Sequence, residues 1–223
     1  MPVNDPLATV EVRWFFDGAA ASHTALAEWF ENATLPAQSG NAPSLKWRDR
    51  TDTYLLLPSS DDMGIKLREG QLQIKGRVSS LGAQSFSGRH EGVLERWVKW
   101  SYAELPASYY ALFGADLGAE LATVAVRKRR ALRKMLLDVE SGTVTRVSTD
   151  AVIDRGLGFE LTDLEVAGRK YCTVGFEAYP QDAAIEALAL DTVCILVDQL
   201  EGIQLTARNS CSYPAWLRRL ATI

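Results

Sequence analysis

Cations recur at alternate positions along this chain. Lys66 and Arg68 stand two residues apart, as do Lys75 and Arg77, and Lys128 and Arg130. On an extended chain, side chains two apart project to the same side. The chemistry of such a face is anion recognition: a guanidinium meets oxygens in pairs, and an ammonium acts as a point charge. Carboxylates occupy comparable positions in the first and last strand-like segments, as Glu11 and Glu177, with Glu95 and Asp163 between them. Other chemistries are thinly represented. His23 and His90 lie far apart and form no metal-binding pattern, and neither a Gly-x-Ser-x-Gly turn nor a P-loop is present. Cys172, Cys194 and Cys211 are odd in number and lack metal-ligand spacing, so they read as free thiols of a reducing compartment.

The elements that must position these groups are mostly strands. Thr9 to Phe16 alternates, with Val10, Val12, Trp14 and Phe16 on one face and Thr9, Glu11, Arg13 and Phe15 on the other. Asp52 to Leu57 reads as a strand ended by Pro58. Gly64 to Arg68 and Gln71 to Val78 form a hairpin about Glu69-Gly70. Gly92 to Tyr102 is rich in Val and Trp, and Thr123 to Leu137 is a long strand with a basic interruption. Leu161 to Val166 and Tyr171 to Tyr179 pair about Ala167-Gly168-Arg169. Helices are expected over Ser22 to Asn32, Ala103 to Phe113, Asp182 to Leu200 (with Asp182 as N-cap and Gly202 just past the end) and Pro214 to Ala221. The turn formers of Pro36 to Pro43 make a loop too short to separate domains, and no repeat is present. About eight strands with a few helices between them give an α+β chain built on an antiparallel sheet, as one domain over 1–223.

Two arrangements satisfy the alternation. The charged faces can be solvated outer faces over a conventional core, as in a lipocalin-type barrel for an apolar ligand. Alternatively the barrel is turned inside out, with charge within and apolar faces under helices outside.

Composition sets limits on partners. The 223 residues carry 24 Lys+Arg against 28 Asp+Glu, a net charge of −4, which gives no support for a nucleic-acid surface. The start, Met1 to Pro6, has no basic region followed by an apolar run, so no secretory signal is read there. The most apolar stretch, Ala183 to Val197, contains Glu186 and Asp191 and is no membrane span. A cytoplasmic protein without a membrane partner is expected.

The order of the segments resembles the CYTH, or triphosphate tunnel metalloenzyme, superfamily, which includes thiamine triphosphatases and inorganic triphosphatases. The resemblance runs over nearly the whole chain. The family's ExExK strand is matched by Thr9-Val-Glu-Val-Arg13, its Asp-x-Tyr-Leu segment by Asp52-Thr-Tyr-Leu55 and its basic-x-basic strand by Lys66-Leu-Arg68. Leu72-Gln-Ile-Lys-Gly76, Lys128-Arg-Arg130, Val174-Gly-Phe-Glu-Ala178 and Ser212-Tyr213 follow in the family's order.

The resemblance implies an α+β fold: an eight-stranded antiparallel β-barrel, or tunnel, with flanking helices. It implies binding and hydrolysis of a triphosphate-containing small molecule, inorganic or organic, with Mg²⁺ or Mn²⁺. Arg13, Lys66, Arg68, Lys75, Arg77, Lys128 and Arg130 would contact phosphate. Glu11, Glu177, Glu95 and Asp163 would hold the metal, and Glu11, Glu177, Lys66 and Arg68 would form the catalytic set. The chain departs from the family twice: Thr9 replaces the first Glu of ExExK, and Gly175 replaces the first Glu of a frequent Glu-x-Glu. Fewer carboxylates weaken divalent metal binding. That leaves a second expectation, a tunnel that holds polyphosphate or another polyanion without hydrolysing it. With these seven cations and four acids inside, the interior carries a formal +3 and the remainder −7.

Overall fold

Strands β1 (Leu7–Asp17), β2 (Trp47–Leu55), β3 (Met63–Arg68), β4 (Gln71–Phe86), β5 (His90–Tyr102), β6 (Thr123–Asp138), β8 (Gly156–Val166) and β9 (Arg169–Tyr179) form a closed ring, and a short β7 (Thr143–Val147) extends it. The computed structural model describes residues 5–18, 20–36, 45–57, 59–103 and 122–221. The ring order is β2-β3-β4-β5-β1-β9-β8-β6, and β2 pairs with β6 to close it. Every pairing is antiparallel, and β7 pairs with the far half of β6. Three of the tight hairpins have adjacent left-handed residues, Glu69-Gly70, Ser87-Gly88 and Ala167-Gly168. Paired positive φ values match the twist of the flanking strands.

The barrel is inside out. Val10, Val12 and Trp14 of β1, Phe159 and Leu161 of β8, and Val174 and Phe176 of β9 face outward into the larger apolar core. Helices α1 (Ala20–Asn32) and α2 (Ala183–Val197) cover them with Leu26, Trp29, Phe30, Ile185, Ala189, Val193 and Leu196. Burying each large side chain there contributes about 1.5–3 kcal/mol. The Asp182 carboxylate caps α2 by accepting from the Ala184 and Ile185 N–H groups. Buried Arg133 ties β6 to the end of α1, donating to the Phe30 carbonyl at 2.8 Å and the Ala33 carbonyl at 2.6 Å. The inward-facing remainder of β1, β2, β6 and β8 meets helix α3 (Tyr213–Ala221) in a second apolar cluster. There Phe15, Tyr54, Val126 and Leu164 pack with Trp216 and Leu217. The ring at Phe15 stacks on Trp216 at 4.6 Å. Thus α3 plugs one end of the barrel.

Several boundaries differ from the sequence expectation. β2 begins at Trp47 because residues 47–51 pair with β6. β4 runs on to Phe86 through two register shifts, between Arg77 and Ser79 and between Ser80 and Gly82. β8 begins at Gly156, α2 ends at Val197, and β7 was not anticipated. The expected helix over Ala103 to Phe113 lies outside the described residues apart from Ala103, as do Pro58 and most of the loop from Pro36 to Pro43.

Candidate functional site

Inward-facing residues converge on one cavity of about 300 Å³. Eight cations line it: Arg13, Arg50, Lys66, Arg68, Lys75, Lys99, Lys128 and Arg130. Glu11, Glu95, Glu160 and Glu177 line it too, with Tyr54, Trp97 and Tyr213 as aromatic wall. Asp52 lies fully buried against the cations. Counting Asp52, the cavity holds eight cations against five carboxylates, a formal excess of three. Such a lining rules out the lipocalin-type alternative with an apolar cavity.

Asp52 is the common anchor of four cations. Lys66 Nζ stands 3.1 Å from its Oδ2, Lys128 Nζ 3.0 Å from its Oδ2, Arg68 Nε 3.0 Å from its Oδ1 and Arg50 Nε 3.4 Å from its Oδ1. Burial would raise the Asp52 pKa, but Lys128, Lys66 and Arg68 outweigh it and hold the carboxyl far below its ordinary range. The crowding is felt by the lysines. Burial, opposed by Asp52 and reinforced by Arg50, lowers Lys128 to about 7. Burial, Lys128 and Arg68 together lower Lys66 well below its ordinary value. Lys128 also donates to the Tyr54 hydroxyl at 2.7 Å and sits 4.0 Å from the Tyr213 ring centroid. The buried Arg50 Nε makes no hydrogen bond.

Glu160 is a second anchor. It accepts from Arg13 Nη1 at 3.0 Å and from Arg130, with the Thr162 hydroxyl adding 3.1 Å. Burial would raise its pKa, but Arg130 and Arg13 hold it well below. In register, Arg13 of β1 faces Gly175 of β9, which faces Glu160 of β8. A Cβ on Gly175 would lie 2.9 Å from the Arg13 guanidinium carbon. The glycine therefore lets Arg13 pass over β9 to its partner.

The third cluster is acidic. Glu11 is in register with Glu177 on one side and Glu95 on the other. Lys75 Nζ bonds Glu11 Oε1 and lies 3.6 Å from Glu177 Oε1. The Thr9 hydroxyl donates to Glu11 at 2.6 Å. Burial raises the Glu11 pKa against the pull of Lys75, and Glu177 adds to the rise. Burial opposes but does not prevent a fall at Glu177, driven by Lys75 and Lys99. Glu95 is taken by Arg77 at 2.6 Å and by Trp97 Nε1 at 3.3 Å.

Mg²⁺ or Mn²⁺ needs several oxygen ligands around one point. Among the described residues no group of three or more His, Cys, Asp or Glu side chains is arranged to hold a metal. An ammonium already stands between the two carboxylates that come nearest to doing so. The residues present do not fit a protein-held divalent cation.

The structure brings together Glu11, Arg13, Lys66, Arg68, Lys75, Glu95, Lys128, Arg130 and Glu177. Arg77 is not at the cavity wall; its guanidinium is held by Glu95, by Asp61 at 3.2 Å and by Asp62. Asp163 is elsewhere. It shares the outward parity of Phe159 and Leu161, meets His23 at 2.5 Å, and lines an outer groove that has Arg50 and Lys128 in common with the cavity. Asp52, Glu160, Arg50, Lys99 and Tyr213 complete the cavity. Of these, Asp52 and Lys99 lay inside expected strands, Lys99 sharing the face of Glu95 and Trp97.

No protein-family model and no curated protein sequence matches the chain. Several solved structures are similar to it, among them the following three. The PH1819 protein from Pyrococcus horikoshii OT3 is 12% identical with a TM-score of 0.46, over 96% of this chain and 98% of that one. The Mimivirus capping enzyme triphosphatase is 10% identical with a TM-score of 0.44, over 87% and 92%. The S. pombe Pct1 RNA triphosphatase is 11% identical with a TM-score of 0.39, over 88% and 85%. The chain's own strands form the eight-stranded antiparallel tunnel that the resemblance implies. No described helix is long and apolar enough to cross a membrane. The three cysteines are free: Cys172 and Cys211 are buried, Cys194 half-buried. Burial pushes the Cys211 thiol, at the cavity wall, up to about 11.

Proposed function

We propose that the tunnel binds a linear triphosphate, inorganic or carried on a small organic group. The observation that carries this is the formal excess of three cations within one cavity. A triphosphate presents several negative charges along a short chain, and each oxygen can accept a charge-assisted hydrogen bond. Arg50 and Arg130 stand at the cavity wall, where their guanidinium groups can meet such oxygens. The small size of the cavity favours a small ligand over nucleic acid, and the free thiols accord with a cytoplasmic setting.

A second reading, hydrolysis of that triphosphate, is favoured by the Glu11–Glu177 pair. The two carboxylates stand in register on adjacent strands at the cavity wall, where either could accept a proton from an attacking water. Calorimetry with tripolyphosphate, thiamine triphosphate and nucleoside triphosphates tests the first reading, which predicts saturable binding of at least one. Absence of binding to all of them would overturn it. Phosphate release from the same compounds, with and without Mg²⁺ or Mn²⁺, tests the second.

A further inference from the structure

We infer that the Lys75 ammonium is the tunnel's built-in replacement for a divalent cation, so that the ligand enters as a metal-free polyphosphate. This rests on the polyanion reading above and goes beyond it.

The argument starts from the row Glu177–Glu11–Glu95, three carboxylates on adjacent strands β9, β1 and β5. Three acids in line repel one another unless cations are interposed. Here each is compensated by a side chain of the protein. Lys75, on β4, reaches past Trp97 with its ammonium 5.8 Å from the ring centroid, bonding Glu11 and facing Glu177. Arg77 neutralises Glu95. The neighbouring inward positions that could supply further oxygens are otherwise engaged. Thr9 presents a hydroxyl that already donates to Glu11, and Gly175 is overlain by Arg13. A divalent ion would have to expel the ammonium and leave its charge in a cavity that already carries excess cations. A fixed cationic tunnel also discriminates between ligand forms. Mg²⁺ bound to a triphosphate removes two negative charges and occupies oxygens that Lys and Arg would otherwise meet, so the metal-free chain is the better match.

Calorimetry of the wild-type protein with sodium tripolyphosphate, in EDTA and in excess Mg²⁺, decides the matter. The expected result is binding that persists in EDTA and is weaker in Mg²⁺. Tighter binding in Mg²⁺ than in EDTA overturns the inference and leaves the polyanion reading standing. No binding in either condition overturns both. A Mn²⁺ titration followed by electron paramagnetic resonance adds an independent readout. Wild-type protein alone is expected to leave Mn²⁺ free. Lys75→Met, which keeps the stem over Trp97, is expected to bind Mn²⁺ and to lose about tenfold in tripolyphosphate affinity in EDTA. Equal Mn²⁺ binding by wild type and variant overturns the inference. Circular dichroism checks that the variant is folded, and the wild-type comparison stands without it.

Discussion

Lys128 is a buried cation whose charge depends on what shares its cavity. Asp52 stabilises the ammonium while burial and Arg50 oppose it, leaving its pKa near 7. Below pH 7 the tunnel therefore already has this charge. Above it, Lys128 is largely neutral until an anion arrives and raises its pKa, so binding draws in a proton. The sign follows: tripolyphosphate affinity falls as pH rises from about 6 to 9, by up to tenfold per unit for one linked proton. Calorimetry at pH 8 in two buffers of different ionisation enthalpy should show proton uptake. Lys128→Met should show less uptake and a shallower pH slope, and the ligand's own titration is common to both proteins. An unchanged slope in the variant would remove Lys128 from the linkage.

At the scale of elements, the lesson lies where strands end. The hairpins about Glu69-Gly70 and Ala167-Gly168 were legible because their turn chemistry is local. The closure of β2 on β6 was not, since it pairs residues about 70–80 apart in sequence. That error hid part of the site. Starting β2 at Asp52 left out Arg50, and starting β8 at Leu161 stopped one residue short of Glu160. Asp52 itself stood in a recognised segment, but its partners Lys66, Arg68 and Lys128 come from two other strands. Gly175 illustrates the reverse case. Its sequence shows only a missing carboxylate, whereas the register shows a space that Arg13 fills on its way to Glu160. Gly175→Ala should push the guanidinium off Glu160 and cost about 1 kcal/mol of stability, read by urea unfolding. Arg13→Ala should abolish that penalty in the double variant, because nothing would then occupy the space. Equal penalties in both backgrounds would assign the glycine to the strand backbone instead.

For the whole molecule, the net charge of −4 conceals an opposite interior. Four basic side chains are gathered on the single carboxylate of Asp52, and the crowding holds Lys128 and Lys66 below their ordinary pKa values. Conventional cores hold apolar groups at the centre; here the apolar cores lie under α1 and α2 and against α3 at one end. The ring is thus held from outside while its centre is under electrostatic strain. Filling it with a polyanion should stabilise the native state by mass action, with the relief of that strain contained in the affinity. Ligand at a hundred times its Kd contributes about 2.7 kcal/mol. For a chain of this size each kcal/mol shifts Tm by roughly 2–4 °C, so a rise of about 5–10 °C is expected with tripolyphosphate. Sodium chloride at matched ionic strength is the control. It screens exposed charges well and enclosed ones poorly, so it should give a much smaller shift. If the salt reproduces the full rise, the effect belongs to general screening of the acidic exterior, and a discrete interior site for the anion is refuted.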